Sequence, residues 1–555
     1  MHCARSLQRF AGLAAASLLG LLLAALWQPG TVAAQPEPTP EERYASPLEL
    51  LLSPNGRELY VLCQGADEVR VLDAARGQVL RIIPVGHVPR GFSFSHDGAR
   101  LFVANSWDDT VTVADVRTGR VTSTWSSGYE PSSVVEDRAG KRLFVADRIG
   151  DDITVLDAAT GAVTATLEAG RGASYLAMDA VGRRLYATHV YPNPGPHRTL
   201  PMSEITVIDP AKAQVVDRIT LPGIAGVFHV ALSSDGRLGV AAELHPKNLV
   251  PLAHVEHGWA FVDTLTVFGA DVGRPVEVPL DELDRYFAMP FGVAIAPDKS
   301  RIYVTHGGSD CVTVIDTTRM LAFIHAHPEP FAEDLSASAH YVMARIAVGK
   351  NPRGMAMSRD GARLYVANRL DDTISVIDPH MDRVVQTLHL AGPAKVSALR
   401  RGEQVFYSSH SFQGQFGCSN CHIDSTFDAM QWDLEPDGFG MDIVDNRLIE
   451  DLRGTEPFKW NGKNPSIAVE CGIRTEMYFW RSQNYDDLRL ADLALYIRSL
   501  PSRPNRWLAA DGVLTPAQAR GREIFKRAVD KLGQPIPLGN QCSTCHSGPK
   551  GTSQK

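Results

Sequence analysis

Apolar and polar residues alternate in short runs over the first four hundred positions. Thr110-Val111-Thr112-Val113-Ala114-Asp115 and Thr373-Ile374-Ser375-Val376-Ile377-Asp378 each put every second side chain on one face, the period of a half-buried strand. A denser apolar strand such as 101–104 precedes each, after a turn with glycine. A third strand follows a Thr-Gly or Arg-Gly turn in the early copies (121–124), with 384–388 as its late counterpart, and a fourth (354–357) follows a turn with proline. The unit recurs. Ser53-Pro54-Asn55-Gly56, Ser95-His96-Asp97-Gly98, Asp137-Arg138-Ala139-Gly140 and Asp179-Ala180-Val181-Gly182 begin copies 42 residues apart. Weaker copies begin at Ser233 and Ala296, and a clean one at Ser358; the later copies are longer and carry insertions. Four short strands in about 42 residues is the period of a β-propeller blade. Seven copies predict seven blades, closed into a ring that leaves no exposed sheet edge.

The repeats resemble the YVTN-type propeller family, through Leu364-Tyr365-Val366-Ala367-Asn368 followed by 372–378. The resemblance covers 47–399 and implies a rigid scaffold or docking surface rather than a particular chemistry. The slot after the first strand of the well-aligned blades holds Asn105, Asp147, His189, His306 and Asn368, and His229 follows another blade's turn. They read as polar loop caps between blades, with a metal or ligand site at the channel mouth as the alternative. His325, His327 and His340, within 321–341, read as solvated side chains of a long surface loop.

At Arg400 the period changes from two to helical. Residues 401–407 form a short amphipathic start, 486–500 carry apolar residues at helical spacing until Pro501, and Thr515-Pro516 with Gln518 opens another helix with a capping box. The first and last of these lead to Cys418-Ser419-Asn420-Cys421-His422 and Cys542-Ser543-Thr544-Cys545-His546. Two thiols so spaced on a turn reach the two vinyl groups of one haem and form thioethers, and the next histidine lies under the iron. We therefore expect two covalently bound haem c groups, attached at Cys418, Cys421, Cys542 and Cys545, with iron held by His422 and His546. A four-cysteine zinc site is the competing reading, but the pairs are over a hundred residues apart and each is followed by histidine.

The helix at 486–500 resembles the C-terminal helix of class I cytochromes c, in which a methionine from the preceding loop reaches the iron. That implies Met477 as distal ligand, with Met441 and Met430 as alternatives. The tandem resembles the bacterial di-haem cytochrome c peroxidase family over 399–555, through Arg401-Gly402-Glu403, Ala519-Arg520-Gly521, 457–463 and Cys545-His546-Ser547-Gly548-Pro549. Where that family has Trp-Asp-Gly-Arg, this chain has Trp460-Asn461-Gly462-Lys463, which implies Trp460 as an electron relay between the haems. Two features depart from the family. No histidine lies between His422 and His546, so the first haem lacks that family's distal histidine. Only nine residues follow His546, so the second module reads as incomplete. Of the carboxylates near the first motif, Glu435, Asp437, Asp442 or Glu456 could act as the base that peroxide cleavage needs.

The chain has 555 residues and a net charge of −8, which argues against a nucleic-acid partner. Residues 1–34 read as a secretory signal: Arg5 and Arg9, an apolar run, then Val32-Ala33-Ala34. An uncleaved anchor helix, giving membrane association, is the alternative. Of eight cysteines, Cys63, Cys311 and Cys471 lie outside both the motifs and the leader, with no readable pairing. We expect a multidomain chain exported to a bacterial periplasm. A signal peptide spans 1–34 and a Pro-rich linker 35–46. An all-β seven-bladed propeller spans 47–399, a mainly α first cytochrome c domain 400–505, and the start of a second 506–555. The expected function is a di-haem electron carrier serving a redox partner such as a small cytochrome. The alternatives are a peroxidase-like oxidoreductase and a propeller-based binding protein with accessory haems.

Overall fold

The computed structural model describes residues 43–250, 260–433, 443–458, 462, 464–472, 474–508 and 512–547. The signal segment and most of the proline linker, Trp460, Met441, Glu435, Asp437 and Asp442 lie outside them. Among the described residues no helix is long and apolar enough to cross a membrane.

Seven four-stranded antiparallel sheets form the propeller, each built from consecutive strands. Blades 1 to 7 span 47–84, 89–126, 131–168, 173–222, 226–279, 290–347 and 352–389. The first strands of successive blades touch around the ring, and that of blade 7, Pro352–Met357, meets that of blade 1, Pro47–Leu52. The sequence repeat is thus offset by one strand: the run after the proline turn opens a blade instead of ending one.

Local chemistry explains the blade. In the first hairpin of blade 2, Ser95 Oγ donates to Asp97 (2.6 Å), the amide of Ala99 donates to Asp97 (3.0 Å), and the amide of Arg100 donates to Ser95 Oγ (2.8 Å). Gly98 takes φ +70°, which a residue with Cβ rarely adopts. Ser233/Asp235 and Ser358/Asp360 repeat the arrangement.

A second device links the blades. An aspartate in the left-handed region before the third strand accepts from the amide that starts the next blade: Asp67 from Val88 (2.9 Å), Asp109 from Glu130 (2.9 Å), Asp151 from Gly172 (2.7 Å) and Asp310 from Asn351 (2.9 Å). Asp372 of blade 7 accepts from Ser46, just before blade 1, at 2.7 Å. Ring closure therefore uses the same tie as the other junctions, over an apolar seam that includes Leu59, Val61, Tyr365 and Ile374.

The last residues of the linker pack on the fold: Ala45 and Ser46 are buried at the seam, and Tyr44 packs under Arg400. The insertion 321–341 is not a plain loop. Helix Thr317–Ala326, capped by Asp316, buries Met320 and Ile324, and a 3₁₀ turn follows at Ala337–His340. His327 and His340 stack on Phe323 with centroids 4.0 and 4.8 Å apart.

After blade 7, helices Ala398–Tyr407 and Asp487–Ser499 pack against each other. They cross at Gly402, where a Cβ would run into the Asp492 carbonyl and lie 2.9 Å from Tyr496 Cβ. Arg401 pairs with Asp492 at 2.7 Å beside the crossing. The first helix also clasps the propeller seam. Arg400 donates to Ser46 Oγ (2.8 Å), lies 3.4 Å from Asp372 and pairs with Glu403 (2.9 Å), which in turn pairs with Arg369 (2.8 Å).

Candidate functional site

Cys418 and Cys421 occupy one helical turn, Cys418–Cys421, entered from the extended Gly417. His422 caps it and donates from Nδ1 to the Thr426 carbonyl at 3.1 Å, so Nε2 is the ring nitrogen left to bind iron. Both cysteines are unpaired. Burial pushes the Cys418 thiol up to about 12 and the Cys421 thiol well above its ordinary value. Such surroundings disfavour the thiolates that zinc requires and suit neutral thioethers. Ser419 Oγ, Asn420 Nδ2, Glu476 Oε1 and Tyr485 Oη are buried without a hydrogen-bond partner among the described residues. The cluster packing on both cysteines is apolar and aromatic, with Phe406, Phe416, Trp432, Trp480 and Leu493. This donor set and lining fit a covalent haem.

The turn after His422 plugs one mouth of the propeller channel. Ile423 is buried among Val190, Tyr191, Phe228 and Met289, and Phe427 stacks on Tyr191 with centroids 5.3 Å apart. The Asp424 carboxylate meets Arg90 at 2.8 Å, Arg148 at 3.1 Å and Arg353 at 3.7 Å. Burial alone would raise its pKa; the three guanidinium charges outweigh burial and hold it far below the usual carboxylate range.

The methionines differ in placement. Met477, on the turn Arg474–Phe479, is 50% exposed, whereas Met430 is 5% exposed within the cluster that packs on Cys418 and Cys421. Glu456 pairs with Arg498 at 3.5 Å. The groups near the cysteines are others. Glu476, raised by burial, accepts from the Tyr485 amide and acts electrostatically on Cys418. Asp428, pushed up to about 6 by burial against the hydrogen bonds from Trp432 and Asn446, acts on Cys421. His410 stacks on Tyr485 with centroids 4.3 Å apart and bonds the Gln483 carbonyl at 2.9 Å. His410 lies upstream of the CxxCH motif, outside the stretch in which the family's distal histidine falls, and no local motif marks Glu476 or Tyr485.

The second motif forms a matching turn, Cys542–Cys545, but its cysteines are exposed. Helix Pro516–Lys526 has the expected capping box and buries no residue. Gly521, the counterpart of Gly402, faces open space. A cleft of about 270 Å³ beside Cys542 is lined by Ile524, Phe525 and Ile536. These apolar surfaces fit one face of a second haem.

The propeller slots are loop caps. Asn105 donates to Thr110 and Thr112, Asn368 to Thr373 and Ser375, and the Thr154 amide donates to Asp147; His189 bonds Thr206, and His306 bonds Thr313 and the Phe287 carbonyl. Each stays within its own blade or its adjoining loop. His229 instead sits on a first strand and stacks on Tyr175, with centroids 3.7 Å apart.

A family model described as lactonase, 7-bladed β-propeller, matches residues 23–136. Hydrazine synthase subunit beta of Kuenenia stuttgartiensis is 27% identical over 183 residues, 32% of this chain and 47% of the relative. Hydrazine synthase subunit gamma of the same organism is 31% identical over 168 residues, 28% of this chain and 44% of the relative. The chain thus spans about half the length of these relatives. The solved structure of Kuenenia stuttgartiensis hydrazine synthase matches with a TM-score of 0.58 at 24% identity, over 64% of this chain and 100% of that one, a likeness of fold. The chain is a seven-bladed propeller protein related to hydrazine synthase subunits. The resemblance of 399–555 to di-haem peroxidases rests on its motifs alone.

Proposed function

We propose that the chain is an exported di-haem c-type cytochrome, carrying electrons on cytochrome c modules of which the first is fixed to the propeller scaffold. Cys418 and Cys421 would hold one haem, with His422 on its iron; Cys542, Cys545 and His546 would hold the other. When bound, each haem supplies one-electron redox chemistry at its iron. The residues of the chain orient the axial histidine, exclude water with the aromatic cluster and hold the first module rigid. The observation that carries the reading is the turn of two unpaired, partly buried thiols followed by a histidine whose Nδ1 is already engaged. Two relatives are named as subunits of one enzyme, which supports a protein partner; we place this chain as an electron-transferring component beside it.

A second reading, a peroxidase-like oxidoreductase, draws on Glu476. A buried carboxyl of raised pKa near Cys418 could hold or accept a proton in the haem pocket.

The test is the mature protein made with cytochrome c maturation factors. We expect two haems by pyridine haemochrome, one after Cys418→Ala/Cys421→Ala, a low-spin ferric EPR signal and slow peroxide turnover. No covalent haem would overturn the reading, and a high-spin signal with rapid peroxide turnover would promote the second. Mass spectrometry of the N-terminus should start at Gln35; an intact Met1 would remove export by cleavage.

A further inference from the structure

We propose that Asp424 is a positioning residue through which three propeller blades hold the axial histidine of the first haem. The inference rests on haem attachment at Cys418 and Cys421 and concerns what fixes His422 there. His422 leaves the cysteine turn at φ −110°, ψ 68°, and the chain then takes φ +49° at Asp424 and φ +64° at Ser425. Two consecutive non-glycine residues in the left-handed region persist only where their surroundings over-determine them. Here both side chains are held. Asp424 is gripped by Arg90 from the first strand of blade 2, Arg148 from the second hairpin of blade 3 and Arg353 from the first strand of blade 7. Ser425 Oγ is shared between the hydroxyls of Tyr407 (3.1 Å) and Tyr496 (2.7 Å). The product of this turn is the Thr426 carbonyl, placed 3.1 Å from His422 Nδ1. That bond sets the tautomer and the basicity of a metal-binding imidazole.

The two oppositely charged partners make the idea testable, because charge and position predict different signs. If Asp424 and Arg90 acted only by their charge, Asp424→Asn would raise the potential of the first haem and Arg90→Gln would lower it. If they hold the turn, both loosen the His422–Thr426 bond, weaken the histidine as a donor and destabilise ferric iron. Arg90 is the most exposed of the three arginines, so Arg90→Gln is the variant least prone to unfold. The experiment is spectroelectrochemical titration of the two-haem protein and its two variants, with hydrogen exchange of the His422 Nδ1–H of the reduced first haem, followed by proton NMR, as second readout. We expect both variants to raise the reduced-to-oxidised ratio of the first haem at fixed potential about tenfold, roughly 59 mV, and to speed that exchange. Shifts of opposite sign, or an unchanged exchange rate, overturn the inference while leaving haem attachment intact. Wild-type protein without haem at Cys418 and Cys421 overturns the attachment instead, and the inference with it.

Discussion

Met477 and Met430 separate what spacing suggests from what packing permits. Met477 fits a class I pattern, in which the ligand precedes the last helix, but its side chain is half in solvent. An iron-bound thioether must be desolvated, and Met430 already sits in the apolar cluster against both cysteines. We therefore expect Met430→Ala to abolish the weak sulfur-to-iron absorption band and lower the potential of the first haem, with Met477→Ala retaining both. Loss of the band in the Met477 variant alone would restore the class I assignment. The two cysteines and His422 were legible because three residue types at fixed spacing encode one chemistry. Asp424 was not, since its partners lie more than 70 residues away in three blades and nothing in 422–426 marks them. Glu476 and Tyr485 were missed for the same reason: burial next to a cysteine is a property of the fold.

The strands were legible because the turns between them are local. Ser-x-Asp-Gly closes its own hairpin, so its recurrence gives both strand positions and blade count. The left-handed aspartates also recur, but their hydrogen bonds cross to the next blade, and spacing alone does not show that. Helix Thr317–Ala326 escaped for a different reason: it lies in the insertion that joins the third and fourth strands of blade 6, and its buried residues are Thr317, Met320 and Ile324. Among the inter-blade ties, Asp372 has a distinct position. It accepts from Ser46 across the seam and lies beside Arg400, which is 2% exposed at the foot of the helix leading to the first CxxCH. Removing it strands a buried amide and takes a counter-ion from a buried guanidinium, at a cost of about 3–5 kcal/mol. Asp109 makes the same tie within the ring, with Arg506 as its ion-pair partner at 3.5 Å among the described residues; its loss should cost about 1–2 kcal/mol. Urea unfolding of Asp372→Ala and Asp109→Ala tests the ordering. Equal losses would mean that the apolar seam, not the tie, closes the ring.

The ring and the helical segment bury ionisable groups whose contributions oppose one another with pH. His189, His229 and His306 are buried, and desolvation lowers them to about 4, about 3 and about 3. They stay neutral in the fold, so the stability they contribute is complete above the unfolded value near 6.5 and falls as the pH drops below it. Glu49, on the first strand of blade 1, is the reverse. Burial pushes it up to about 8, with Arg353 opposing. Folded protein keeps that proton until about pH 8, whereas the unfolded chain releases it near 4.5. The contribution is complete below about 4.5 and is lost as the pH rises through about 8, at roughly 1.4 kcal/mol per unit. Glu49→Gln keeps the shape and removes the proton, so it should lessen the decline toward alkaline pH, to which other carboxyls raised by burial, Asp281 among them, also contribute. We expect the stability difference, variant minus wild type, to grow steadily from pH 5 to pH 8 in urea unfolding and to level off above. A difference that does not change with pH would mean that Glu49 ionises normally in the fold, and that the arginines at the channel mouth, Arg353 first, neutralise it as they neutralise Asp424.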